Sequence, residues 1–388
     1  MDEKPKLIIE PLTTRQEPPA ELGKTDASQK AVEESNSSPG VDVHSPADEE
    51  SDDYPDLGEE LALHVEAAGC HPVILFGGFS SGKTSLLLSL LATIKTEPGL
   101  RTGLQLGDPL LDISSAIGQK QYEMAEETFG KQTQQFIEGV KPKATSLKRP
   151  FFIPVDFLPS GNPEARFALM ESDGEWYNPD RNSAKVFRPL QKHIEDFIEY
   201  YQGPITFIHV VPFTQNANTS LSTTEKVNDA AAIQDASLAI SGALQAYERI
   251  RIDKREDRHL LLVTKWDARE RAGLSKEDSL TSTREEVTEF VVENYSQAFA
   301  AFQAMTVRDE QKFVAGYCSG LMNEAGVLVL RRSNDLRTDL LNYPINLWKW
   351  LYGNALTSAG LPEQDPFPAP TPPGPVEQFF NWLDKLMK

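Results

Sequence analysis

The sequence predicts an α/β protein built on a mostly parallel sheet, and three observations predict it. Between about residues 61 and 360, short apolar runs alternate with longer stretches of helical periodicity, the pattern of strands joined by crossover helices. Two of the apolar runs, 151–157 and 166–170, are separated by the turn-rich LPSGNPEA, so one antiparallel hairpin strand interrupts the parallel order. A glycine-rich turn, GGFSSGKTS, stands between an apolar run and a helical one.

Strands are predicted at 72–76, 151–157, 166–170, 205–211, 259–263 and 312–315. Helices are predicted at 83–94, 114–137, 187–201, 224–249, 284–304 and 345–352, and no internal repeat is present. At 388 residues the chain is long enough for a sizeable core. Residues 1–60 carry 17 acidic and 5 basic side chains and few apolar ones, too few to offset the entropy of ordering. They are expected to form a disordered acidic tail, followed by the folded body over 61–360. Residues 361–375 hold seven of the 27 prolines and read as an extended linker. Residues 376–388 place Val376, Phe379, Phe380, Leu383, Leu386 and Met387 at helical spacing, a short amphipathic helix suited to the body, a protein partner or peripheral contact with a membrane.

The formal net charge of −20 argues against nucleic acid as a partner of the whole molecule. No apolar run approaches the roughly 20 residues of a membrane-spanning helix. Two cysteines make neither a disulfide framework nor a zinc site, and the first residues lack the basic-then-apolar pattern of a secretory signal, so a reduced, cytoplasmic location is expected. The six histidines have no metal-ligand spacing, and the tryptophans read as packing residues.

The turn fits G-x-x-x-x-G-K-[ST] across Gly77, Gly78, Phe79, Ser80, Ser81, Gly82, Lys83 and Thr84, with Ser85 following. Such a loop curls so that successive backbone N–H groups face inward. The helix after it adds the positive end of its dipole, Lys83 reaches the terminal phosphates, and the Thr84 hydroxyl ligates Mg²⁺. The strand before and the helix after are what this chemistry requires, so binding of a nucleoside phosphate is the firmest expectation.

A second phosphate-side element is a strand ending in an acid that orients Mg²⁺, followed by a glycine whose N–H meets the γ-phosphate. RFALMESDGEWY supplies Glu171 and Gly174, with Glu171 standing where GTPases usually have the Asp of DxxG and Asp173 a competing ligand. Farther on, HLLLVTKWD ends in Thr264, Lys265, Trp266 and Asp267, which fits the [NT]KxD pattern of guanine-specific proteins. An Asp carboxylate there accepts from the guanine N1–H and exocyclic amine, a donor pair that adenine lacks, while the Lys stem lies along the base. Thr264 in the Asn place removes an amide that braces the loop, which predicts weaker nucleotide affinity. The last strand ends in Tyr317, Cys318, Ser319 and Gly320, a small-residue turn where a backbone N–H, at Cys318 or Ser319, can meet the guanine carbonyl, with an ordinary buried cysteine the alternative for Cys318.

Taken in order, GGFSSGKT, ESDGE, TKWD and YCSG resemble the motifs of the TRAFAC class of P-loop GTPases, over about residues 72–320. More narrowly, the long interval between the first two motifs and the YPINLWKWLY helix resemble the bacterial double-GTPase type found in conflict and defence gene clusters. The class implies a three-layer P-loop NTPase fold: a mostly parallel six-stranded sheet flanked by helices, with the nucleotide at the carboxyl ends of the strands. It also implies a switch threonine that closes on Mg²⁺ and the γ-phosphate, here Thr145 in preference to Ser146. The residue after the DxxG glycine, which positions the attacking water, is Glu175; its charge predicts slow hydrolysis. An arginine supplied to the reaction has Arg149 and Arg166 as nearby candidates, with surface salt bridges the simpler role for both.

Lys83 and Glu171 lie 88 positions apart, and the excess is a helical insertion at about 105–140 expected to cover the switch loop or bind a partner. The resemblance therefore implies a GTP-binding regulatory switch, with GTP or GDP and Mg²⁺ as ligands, weak GTP hydrolysis, and protein partners engaged through the acidic tail, the insertion and the C-terminal helix. A nucleotide-dependent scaffold that does not hydrolyse, or a P-loop ATPase in which TKWD is a coincidence, remains the alternative.

Overall fold

The computed structural model describes residues 57–78, 81–96, 100, 102–140, 142, 151–171, 190–213, 223–266, 284–324, 327–330 and 342–367, all within the unit Ala47–Lys388. Its centre is β1 (His71–Phe76), buried at every position, as a continuous apolar run flanked on both faces must be. β1 pairs in parallel with β4 (Ala165–Glu171) on one side and β5 (Thr206–Pro212) on the other. β6 (Arg258–Thr264) and β7 (Lys312–Gly316) extend the parallel run beyond β5.

On the other side, β3 (Phe151–Pro159) runs antiparallel both to β4 and to an edge strand, β2 (Thr102–Leu106). The sheet order is β2-β3-β4-β1-β5-β6-β7. All six predicted strands are present and β3 is the reversed one, but the sheet has seven strands, not six. β2 is TGLQL, with Gly103 and Gln105 exposed and the alternate residues only half-buried. Glycine within so short an edge strand erases the apolar alternation by which a strand is read.

Helices cover both faces. Phe76, Phe207, Leu261 and Val263 pack under α1 (Leu57–Ala67), α5 (Lys192–Tyr200), α6 (Thr223–Ile250), α7 (Arg284–Asn294) and α8 (Ser296–Ala304). Val73, Leu75, Ile208, Val210 and Leu262 pack under α2 (Lys83–Thr96) and α9 (Asn342–Ser358). α1 crosses α5 closely because Gly58 has no side chain; a Cβ there would lie 2.3 Å from the His193 carbonyl oxygen.

Two predicted helices are interrupted. The helix expected at 114–137 is α3 (Ala116–Glu127), a π-helical turn over Thr128–Gln132, and α4 (Thr133–Ile137). The Thr133 hydroxyl donates to the Thr128 carbonyl at 2.8 Å, closing the wide turn. The helix expected at 284–304 breaks between α7 and α8 at Tyr295, whose ring is buried and whose hydroxyl donates to the Pro212 carbonyl at 2.6 Å. A hairpin of β8 (Leu321–Glu324) and β9 (Val327–Leu330) follows β7 and was not predicted. At the start of the proline-rich segment, Phe367 meets the Phe157 ring edge-on at 6.1 Å and Asp365 pairs with Lys349 at 2.8 Å.

At the amino ends of β5 and β6 lies a buried ion pair, Arg251 with Asp257, at 3.0 Å. Asp257 also accepts from the Tyr247 hydroxyl and the Ile205 N–H, each at 2.9 Å. Arg251 donates to the carbonyls of Ile198, Tyr201 and Gly203. Every arm of the pair is thus used to join α5, α6, β5 and β6.

Three histidines are buried in the sheet. His71 bonds the Thr206 hydroxyl at 2.8 Å. His209 and His259 stack at 5.6 Å between ring centres, among Phe76, Phe207 and Tyr247. Burial pushes His71 and His209 down to about 3 and His259 well below its ordinary value. These residues are therefore neutral when folded, whereas the unfolded chain takes up protons below about pH 6.5. The stability they contribute is complete above that pH and is lost as pH falls toward 3. At pH 5 the loss is about 2 kcal/mol for each of His71 and His209. Urea midpoints measured at pH 7 and pH 5 should show the decline, and it should be shallower in His209→Leu; equal slopes in the two proteins would contradict this.

Candidate functional site

The carboxyl ends of β1, β4, β6 and β7 carry those selected residues that are described, Arg166 apart. The turn after β1 has the shape that its glycines permit. A Cβ on Gly77 would lie 2.6 Å from both the Ser81 hydroxyl oxygen and the Val210 carbonyl, so only glycine fits. Gly82 has φ +94°, in the left-handed region, and faces the Thr264 side chain. Gly78 is buried, and its carbonyl accepts from the Ser81 N–H at 3.3 Å. α2 starts at once at Lys83, with the Leu86 N–H bonded to the Gly82 carbonyl at 2.9 Å.

Lys83 is buried, and its ammonium donates to the carbonyls of Gly77 at 2.6 Å and Gly78 at 3.1 Å. Its charge is thereby held at the first turn of the loop, beside the positive end of the α2 dipole. The buried Ser81 hydroxyl has no hydrogen-bond partner among the described residues. Thr84 and Ser85, both half-buried, follow on the first turn of α2.

Glu171 closes β4, next to β1, where Leu75 is its register partner. It is buried, and its Oε1 accepts directly from the Thr84 hydroxyl. A hydroxyl on α2 and a carboxylate on β4 thus meet at the end of the sheet that carries Lys83. Both are hard oxygen donors, the type that could hold a hard cation.

Thr264 makes a brace of its own. Its hydroxyl donates to the Ser81 carbonyl at 2.5 Å and lies 3.4 Å from the Val211 carbonyl. The brace expected to be lost with the Asn amide is therefore made by a hydroxyl, joining the end of β6 to the loop after β1. The donor capacity of Thr was the available signal. Lys265 comes next, exposed, with φ +56°. It is the one non-glycine residue with positive φ among the described residues, a conformation that clusters at functional turns.

Trp266 is a buried anchor, packed edge-on against Phe213 at 5.6 Å and Phe290 at 5.5 Å. A Cβ on Gly316 would lie 2.9 Å from its ring. After β7, Cys318 is buried and Ser319 half-buried. Burial of Cys318 leaves its backbone as the part suited to a ligand. Arg166 lies at the start of β4, away from this end of the sheet, with its guanidinium 3.5 Å from Asp156. Phe79, Ser80, Thr145, Ser146, Asp173, Gly174, Glu175 and Asp267, together with the segment 376–388, lie outside the described residues.

No family model matches the sequence, and no curated protein matches it. Among solved structures, the GTPase-like domain of S. cerevisiae Ski7 bound to GTP is 12% identical with a TM-score of 0.28, covering 75% of this chain and 52% of that one. The same domain bound to GDP and inorganic phosphate is 12% identical with a TM-score of 0.26, covering 72% and 51%. The signal recognition particle receptor SRb-GTP/SRX complex from Chaetomium thermophilum is 12% identical with a TM-score of 0.21, covering 66% and 95%. The chain spans about half the length of the Ski7 structures it matches. At TM-scores this low the likeness assigns no family, and the function must be read from the residues of the site.

Proposed function

We propose that the chain is a guanine-nucleotide-binding switch that hydrolyses GTP slowly with Mg²⁺. The observation that carries this reading is the meeting, at one end of the sheet, of three sequence motifs 88 to 181 residues apart: Lys83 on its glycine loop, Glu171 bonded to Thr84, and Thr264 bonded to Ser81.

The roles follow from the chemistry. The loop N–H groups, those of Phe79 and Ser80 among them, and Lys83 hold the β- and γ-phosphates. Thr84, Glu171 and the switch threonine Thr145 hold Mg²⁺. One hydroxyl and one carboxylate already in contact suit a cation that keeps several waters and takes its remaining ligands from phosphate. When bound, Mg²⁺ neutralises the charge of the triphosphate. Gly174 offers an N–H to the γ-phosphate, and Glu175 orients water, its negative charge keeping turnover slow. On the base side Asp267 selects guanine, Lys265 lies along the ring, and the N–H groups of Cys318 and Ser319 meet the carbonyl. The tail, the insertion around α3 and α4, and the C-terminal helix recruit protein partners.

Glu175 is also the reason to keep a second reading, a nucleotide-dependent scaffold without turnover. Multiple-turnover phosphate release that disappears in Lys83→Ala would exclude it.

Asp267→Asn tests the base assignment. Asparagine pairs with the reversed donor and acceptor pattern of xanthine, so the variant is expected to bind xanthosine triphosphate in preference to GTP. Unchanged binding of every purine nucleotide by Asp267→Asn would defeat the assignment.

A further inference from the structure

Tyr317 stands just past β7, and its backbone completes the base-side turn. Its N–H donates to the Val263 carbonyl at 2.8 Å, and its carbonyl accepts from the Trp266 N–H at 3.2 Å. These two bonds bracket Thr264 and Lys265. Its side chain runs in the other direction, into the sheet face under α2, where the hydroxyl lies 2.5 Å from the Ser89 hydroxyl. Ser89 is on α2, six residues after Lys83.

The direction of that bond follows from proton counting. The single Ser89 proton goes to the Leu86 carbonyl at 2.8 Å, so Tyr317 is the donor and Ser89 the acceptor. Burial pushes the Tyr317 phenol well above its usual range, which keeps that proton in place. Both side chains are buried, so the bond is shielded from competing water.

We propose that Tyr317 is a positioning residue for base discrimination: its hydroxyl locks the turn that reads the base to the helix that carries Lys83 and Thr84. The inference rests on the guanine reading above and gives the side chain of Tyr317, the first residue of YCSG, a role that the motif itself does not assign. Thr264 ties the base side to the loop before α2, and Tyr317 ties it to the body of α2. With both bonds made, the distance between phosphate contacts and base contacts is set before a ligand arrives, and a purine whose edge mismatches cannot be met by adjustment of the turn. Tyr317→Phe keeps the ring and removes only the donor, and the Ser89 hydroxyl keeps its bond to Leu86.

The test is the ratio of GTP to ATP affinity, measured by competition against a fluorescent nucleotide in the full chain with Mg²⁺. Tyr317→Phe is expected to lower the ratio about two- to tenfold, the equilibrium worth of one neutral hydrogen bond. Ser89→Ala, which removes the acceptor, should lower it equally, and the double variant no further. A purely structural role would lower the melting temperature and weaken both nucleotides alike, leaving the ratio unchanged; that result overturns the proposal while the guanine reading stands. A wild-type chain with no preference for GTP overturns both.

Discussion

Lys83→Ala is expected to weaken nucleoside triphosphate binding by roughly a hundredfold, since a hydrogen bond from a charged donor contributes about 1.5–3 kcal/mol and this ammonium is the one cation placed in the loop. The substitution also removes the two bonds to the Gly77 and Gly78 carbonyls. Those two acceptors are neutral carbonyls. The fold should therefore survive, and circular dichroism should show the same helix content. Equilibrium titration with a fluorescent nucleotide checks the loss, and an unchanged Kd would mean that the phosphates lie elsewhere.

Asp257→Ala should have the largest effect on stability. Arg251 is 5% exposed and Asp257 is fully buried, so removing the carboxylate strands a guanidinium inside the protein. Breaking such a pair costs about 3–5 kcal/mol, a large part of the 5–15 kcal/mol that is usual for a folded domain. The Tyr247 hydroxyl and the Ile205 N–H lose their acceptor as well. Urea unfolding would show the loss as a lowered midpoint. Because the pair lies at the amino ends of β5 and β6, opposite the candidate site, nucleotide preference in the surviving folded fraction should not change. A midpoint within the error of wild type would show that Arg251 finds another partner.

The parts of the fold visible in the sequence are those whose signal is local. β1, β5 and β6 are continuous apolar runs because they are covered on both faces, and a run of that kind needs no context to be read. β2 was not legible: two of its five residues are exposed and none is fully buried, and its pairing with β3 is formed by chain some 50 residues away. The break at Tyr295 was hidden for a related reason. The helical periodicity continues through it, and only the tertiary bond to Pro212 shows why the backbone turns there.

For the candidate site, residue types and order were legible, but the bonds between motifs were not. Gly77, Lys83 and Thr84 read as a phosphate loop in the sequence because those residue types suit that backbone and those ligands. That Glu171 reaches Thr84 depends on β4 lying beside β1, and that Thr264 braces Ser81 depends on the length of β6. The Thr264 case shows the limit most plainly. Read as a departure from Asn it lacked the bracing amide and predicted weaker nucleotide affinity; its hydroxyl reaches the Ser81 carbonyl across 183 residues. Ser89 belongs to no motif and the Tyr317 side chain has no part in the YCSG reading; their contact is visible only once the end of the sheet is packed under α2.

The central claim, that this end of the sheet holds a guanine nucleotide, is tested most directly by competition on the full-length wild-type chain with Mg²⁺, using GTP, GDP and ATP against one fluorescent guanine nucleotide and Lys83→Ala as the blank. The account predicts that GTP and GDP displace the probe while ATP fails to do so at tenfold higher concentration. Displacement by ATP as effective as that by GTP would contradict it.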